Sequence, residues 1–98
     1  MNSNFSNSLG LCRRASLLSW GHDTAIDSIK KKKAKWIIVA SDASDRIKRE
    51  FKKYSDEEEI EILFLDETMN DLQKSIGVKT GVITINDEGF VKLLKNNL

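Results

Sequence analysis

The apolar run Trp36-Ile37-Ile38-Val39-Ala40 constrains the fold more than any other stretch of the chain. It is short, rich in β-branched side chains and without a polar residue at alternate positions, so it predicts a central strand buried on both faces. Such a strand must be covered by helices on both sides. The rest of the chain supplies them, because helical and extended patterns alternate along its whole length.

Leu11, Ala15 and Leu18 lie at helical spacing and the stretch closes at Ser19-Trp20-Gly21, predicting a first helix followed by a very short strand. His22 to Lys33 carries Ile26 and Ile29 on one face, with Asp23 near its start and lysines at its end, charges that suit a helix dipole at both ends. Asp42 or Ser44 caps a third helix with Ile47, Phe51 and Tyr54 on its inner face, followed by an acidic loop, Asp56 to Glu59. Ile60 to Leu65 reads as a strand. Thr68 with Asp71 forms a variant capping box for a helix with an inner stripe of Met69, Leu72 and Ile76 and with Gly77 just past its end. Gly81 introduces the strand Val82 to Ile85, and Asp87 caps a last helix whose Phe90, Val91, Leu94 and Leu98 face inward. Five helices interleaved with four strands predict a three-layer α/β/α sandwich around a mixed sheet of about four strands.

Ninety-eight residues, 40% hydrophobic and 32% charged, make one soluble domain, which takes residues 9–98 behind a flexible polar tail, residues 1–8. A domain of this size buries only about 60–65% of its unfolded surface, so a large ligand has to bind on its outside. No stretch approaches the roughly 20 apolar residues that span a bilayer, and Met1 to Ser8 lacks the basic start and apolar segment of a signal peptide, so the cytoplasm is the expected location.

One cysteine, Cys12, and one histidine, His22, make neither an internal disulfide nor a spaced zinc site, and no metal is expected. As a nucleophile and base they have no supporting third group; Cys12 reads as a small core residue. The carboxylate pairs Asp42/Asp45 and Asp66/Glu67 sit where helices begin and read as caps. Neither G-x-G-x-x-G nor a Walker pattern occurs among the five glycines, so no nucleotide cofactor is expected, nor any catalysis. Trp20 and Trp36 sit in or beside strands and read as core.

The net charge of +1 conceals an asymmetry: residues 1–54 carry twelve Lys and Arg against five Asp and Glu, and residues 55–98 carry four against ten. The lysine run Lys30 to Lys33 with Lys35, together with Arg13 and Arg14, is a candidate contact for RNA phosphates, whose affinity falls steeply with salt. Its plain alternative is a solvated helix end.

Specific residues then resemble a family. Leu9-Gly10-Leu11, Arg14-Ala15, Ser19 and Gly21, followed by Ala34-Lys35, the strand Ile37 to Ala40 and Asp42-Ala43-Ser44, look like the "L-seven-Ae"-type ribosomal proteins. The run Leu72-Gln73-Lys74-Ser75-Ile76-Gly77-Val78 and the end Asp87-Glu88-Gly89-Phe90 resemble its small bacterial YlxQ-type branch, and the likeness extends from about Leu9 to Leu98. The resemblance implies an α/β/α sandwich that binds structured RNA without catalysis, in the best-known members a kink-turn with tandem sheared G·A pairs. Its implied partners are structured RNA, ribosomal RNA among the candidates, and a ribosome-associated protein. The family reads RNA at the start of the second helix with Gly, a small residue, Asn, Glu, two further residues and Lys.

Here that segment is Gly21-His22-Asp23-Thr24-Ala25-Ile26-Asp27. Asp23 in place of Asn only accepts hydrogen bonds, and Thr24 is too short to replace Glu as an acceptor for guanine. Asp27 in place of Lys reverses a phosphate attraction, each unit charge being worth about 3 kcal/mol at about 5 Å and an effective dielectric near 20, before screening. These departures argue against family-typical kink-turn recognition. The candidate RNA-binding residues are Gly21, His22, Asp23, Thr24, Lys31, Lys33, Val78, Lys79 and Thr80, which can hold phosphate and shape without the sheared-pair code. The alternative is a protein-interaction module that keeps the fold without specific RNA recognition, motivated by Asp27 and the acidic run Asp56 to Glu59.

Overall fold

The computed structural model describes residues 1–98 as α1 (Ser3–Arg14), β1 (Leu18–Trp20), α2 (His22–Lys30), β2 (Trp36–Val39), α3 (Asp45–Glu58), β3 (Ile62–Phe64), α4 (Met69–Ile76), β4 (Val82–Ile85) and α5 (Glu88–Lys95). The four strands form one sheet in the order β1-β4-β2-β3, and β4 runs antiparallel to both of its neighbours while β2 and β3 are parallel. Strands β1, β2 and β3 therefore share one direction, and β4 alone opposes them.

Every residue of β2 and β4 is buried, as the apolar runs predict. Alternation sorts their side chains between two cores. Trp36, Ile38, Ile83 and Ile85 face α1, α4 and α5, packing with Phe5, Leu9, Leu72 and Leu94. Ile37, Val39 and Val82 face α2 and α3, packing with Ala25, Ile29 and Phe51. The result is the predicted three-layer sandwich with a mixed sheet.

The helix caps follow the sequence closely. Ser44, rather than Asp42, caps α3, accepting from the Ile47 amide at 3.2 Å. Thr68 and Asp71 close a reciprocal capping box on α4, and Gly77 ends that helix with a left-handed φ of +83°. Asp87 accepts from the Phe90 amide at 2.9 Å at the start of α5.

Five expectations fail. Residues 3–8 are not a flexible tail but the first turns of α1, which Asn2 caps by accepting from the Phe5 amide at 2.8 Å. The inner stripe of α1 is Phe5, Leu9 and Cys12, at i, i+4 and i+7. Leu11 lies half exposed, Ala15 is the cap after the helix, and Leu18 belongs to β1. Gly10 lets α1 approach α4, because a Cβ there would lie 3.0 Å from the Ser75 carbonyl oxygen.

The acidic run is not a loop: α3 continues through Glu58, and Glu59 closes it in the left-handed region. Carboxylates oppose the helix dipole there, but Asp56 pairs with Lys52, Glu57 with Lys53, and Glu58 with Lys32. Trp20 on the edge strand β1 is 42% exposed and Leu98 is exposed, whereas Trp36 is core as expected.

Burial of Phe5 makes the amino terminus a stability element. Phe5→Ala is expected to lower unfolding free energy by about 3–5 kcal/mol, read by urea denaturation. A mobile tail would leave the midpoint unchanged.

Candidate functional site

Because β1, β2 and β3 run in one direction, the helices that follow them, α2, α3 and α4, all begin at the same end of the sheet. Their starts converge on a cleft of about 180 Å³ lined by His22 of α2, Ser44 before α3 and Met69 of α4, with Thr80 and Gly81 from the loop entering β4 and Val82 at the start of that strand. Helix amino termini carry partial positive charge and unpaired amides, so their convergence makes this end of the fold attractive to anions.

The three starts differ in how they are closed. Those of α3 and α4 are capped by Ser44 and Thr68, and Asp42 further accepts from the Met69 amide at 2.8 Å. Helix α2 begins at Gly21, which has no side chain to cap it. The amides of His22, Asp23 and Thr24 therefore have no partner within the protein.

Gly21 adopts φ +90° and ψ 160°, a conformation essentially restricted to glycine, although a Cβ there would meet no atom within 4 Å. Its amide donates to Thr80 Oγ1 and to the Val82 carbonyl, both at 3.1 Å. The Thr80 hydroxyl donates in turn to the Val82 carbonyl at 2.9 Å. Thr80 is buried and its hydroxyl is engaged, so it holds the Val78 to Gly81 loop against the start of α2. Lys79 is exposed on that loop and Val78 packs partly into the core.

His22 lies between two carboxylates, with Nδ1 2.7 Å from Asp23 Oδ1 and Nε2 2.6 Å from Glu50 Oε1, its ring meeting Phe51 edge-on at 5.9 Å. The hydrogen bond to Asp23, then that to Glu50, raises the imidazole above its ordinary value of 6.5 against a small desolvation effect. Glu50, from α3, has no signal in the sequence near His22; only the packing of α3 against α2 brings it there. The same holds for Ser44 and Met69.

Lys31 and Lys33 do not belong to this cleft. They follow the carboxyl end of α2, a nine-residue helix about 13 Å long. Lys31 lies 3.1 Å from Asp27, so the carboxylate that stands where the family has lysine is already neutralised by a neighbour one turn on. Cys12 is fully buried, its Sγ donates to the Leu17 carbonyl at 3.3 Å, and burial pushes the thiol up to about 12. It is a core residue, and His22 is engaged elsewhere.

The model of the Ribosomal protein L7Ae/L30e/S12e/Gadd45 family matches residues 3–95. The chain belongs to this family. Its sequence is 35% identical over 89 residues to the RNA-binding protein YlxQ of Enterococcus faecium, covering 91% of this chain and 85% of that protein. Among solved structures, a Bacillus halodurans protein of unknown function superimposes with a TM-score of 0.89 at 23% identity, over 97% of this chain and 96% of the other. The Giardia lamblia 15.5kD RNA binding protein superimposes with a TM-score of 0.76 at 18% identity, over 98% and 86%. The match to the L7Ae/L30e/S12e/Gadd45 model begins at Ser3, in agreement with α1 as an integral element. No helix of this family member is long and apolar enough to cross a membrane.

The His22 geometry fixes a pH dependence. A raised folded-state value means the ion pairs contribute their full stability below about pH 6.5 and lose it as pH rises through the folded value. Proton NMR is expected to place the His22 titration above 6.5. Glu50→Gln is expected to move it down, and an unmoved midpoint would show that the Glu50 contact is not maintained in solution.

Proposed function

We propose that this chain binds structured RNA as a non-enzymatic, ribosome-associated protein of the cytoplasm. The carrying observation is the convergence of three helix starts of which only that of α2 is uncapped, leaving the amides of residues 22–24 available to a phosphate. Lys79 on the adjoining loop adds positive charge beside those amides. The names of the Enterococcus and Giardia relatives support RNA as the partner.

Reading of sheared G·A pairs is weakened by Asp23, Thr24 and Asp27, so contact rests on phosphates and shape. The pairing of Asp27 with Lys31 removes much of the repulsion that Asp27 alone exerts, and also holds Lys31 back from the RNA. A basic protein partner is the less favoured reading, because three carboxylates of the acidic turn, Asp56, Glu57 and Glu58, are already engaged by lysines.

Titration at two salt concentrations against an intact kink-turn, the same RNA with its G·A pairs disrupted, and a plain duplex tests this. Salt-sensitive binding to all three is expected, with little preference for the intact turn. Asp27→Lys, which turns a paired carboxylate into a cation and frees Lys31, is expected to tighten binding roughly tenfold, about 1.4 kcal/mol. Absence of binding to any of the three, with the domain folded, contradicts the proposal.

A further inference from the structure

The opposite end of the sheet carries a second concentration of positive charge that the α2 start does not use. Since β4 runs against the other strands, α5 begins at the end where α2 finishes and β2 starts. Two clefts meet there and share Lys35. One, of about 470 Å³, includes Ser19, Lys32, Lys33, Lys35 and Asn86. The other, of about 280 Å³, is lined by Lys35, Glu88, Lys92 and Lys95 together with one apolar residue.

The local carboxylates do not neutralise all of these lysines. Asp27 pairs with Lys31, Glu58 with Lys32, and Glu61 with Lys95. Lys33, Lys35 and Lys92 remain exposed and without an ion-pair partner, and Glu88 is the one unpaired carboxylate among them. The backbone brings two of them to the cleft by a left-handed residue, Lys32 at φ +61°, after which the amides of Lys33 and Ala34 both bond back to the Ser28 carbonyl. A β-branched or bulky side chain rarely accepts that conformation, and for any non-glycine residue it has a cost.

The floor of the larger cleft is oriented by a chain of polar groups that starts in the core. The fully buried Thr84 hydroxyl donates to Asn86 Oδ1 at 3.1 Å, which turns the Asn86 amide nitrogen toward Ser19 Oγ at 2.9 Å. Ser28 gives its one proton to the Ala25 carbonyl at 2.8 Å, so the Thr84 proton is shared between Asn86 Oδ1 and Ser28 Oγ, 2.7 Å away. The Ser19 hydroxyl accepts from the Asn86 amide at the outer end of this group. Its own proton has no acceptor within the protein and lies in the cleft beside Lys33 and Lys35. A neutral donor next to two unpaired cations is the donor set of a phosphate contact.

We propose that this edge is a second RNA contact surface, in which Lys33, Lys35 and Lys92 with the Ser19 hydroxyl hold the phosphodiester backbone of a helical segment beyond the one at the α2 start. The inference rests on the RNA reading above and extends it from one end of α2 to both. It makes the domain a clamp along an RNA stem, with α2 between its two grips.

The test is binding of a kink-turn RNA with long flanking stems over a range of salt concentrations. Lys33→Gln/Lys35→Gln/Lys92→Gln changes exposed residues only, and circular dichroism confirms the fold. It is expected to weaken binding roughly tenfold or more and to reduce the slope of log affinity against log salt by about 2–3. Arg49→Gln/Lys53→Gln/Lys74→Gln, a loss of three exposed cations elsewhere, is expected to change the slope by less than about 1. Ser19→Ala removes no charge and is expected to weaken binding about threefold to tenfold with the slope unchanged. Wild-type affinity and slope in the edge variant, or equal losses in the matched control, overturn the clamp while leaving RNA binding standing. Failure of the wild-type protein to bind overturns both.

Discussion

Burial of β2 and β4 on both faces is the constraint on which the rest of the structure depends. Two strands without a solvent face require helices above and below, and alternation along them divides the core into one cluster under α1, α4 and α5 and another under α2 and α3. The same sheet sets directions. With β1, β2 and β3 parallel to one another and β4 reversed, α2, α3 and α4 start at one end and α5 at the other. The meeting of three helix starts at one end of the molecule is thus a consequence of strand order rather than of any local motif.

At that end the chain balances attraction against repulsion. The uncapped amides at the start of α2 carry the partial positive charge of a helix terminus, Asp23 and Glu50 oppose an approaching anion, and His22, whose protonated form both carboxylates favour, offsets part of their charge when it carries a proton. Asp27 is offset in the same way by Lys31. These pairs are exposed or half exposed, so each contributes little to folding stability, and their effect is on what approaches the surface. Thr80 stands behind the arrangement, since its buried hydroxyl fixes the Gly21 amide and thereby the direction of the first turn of α2.

Much of this was legible in the sequence because it is local. The strand runs, the Thr68/Asp71 capping box, the Ser44 and Asp87 caps and the left-handed Gly77 all follow from residues within a few positions of one another. What was missed depends on distant partners. Phe5 stands alone as a large apolar side chain among Asn and Ser in residues 2–8, and only packing under the sheet reveals it as the first member of a stripe with Leu9 and Cys12. The acidic turn Asp56 to Glu58 looks like a loop until the lysines one turn earlier, and Lys32 from another element, are seen to hold it in α3. Trp20 looked like core because β1 is a strand, but an edge strand leaves room for an exposed ring. Within the candidate site, Gly21 and the loop at 78–81 meet through the Gly21 amide and Thr80 Oγ1, whereas Glu50, Ser44 and Met69 are brought in by α3 and α4, whose approach no sequence pattern announces. Lys31 and Lys33 are near His22 in sequence and a full helix away in space.

The central claim is that the uncapped start of α2, held by the loop before β4, meets the RNA. Amide chemical shifts of the folded protein, followed as a kink-turn RNA is added, test it most directly. The largest changes are predicted at His22, Asp23 and Thr24, with accompanying changes at Lys79 and Gly81. Saturable binding that leaves the amides of residues 22–24 unmoved contradicts the account.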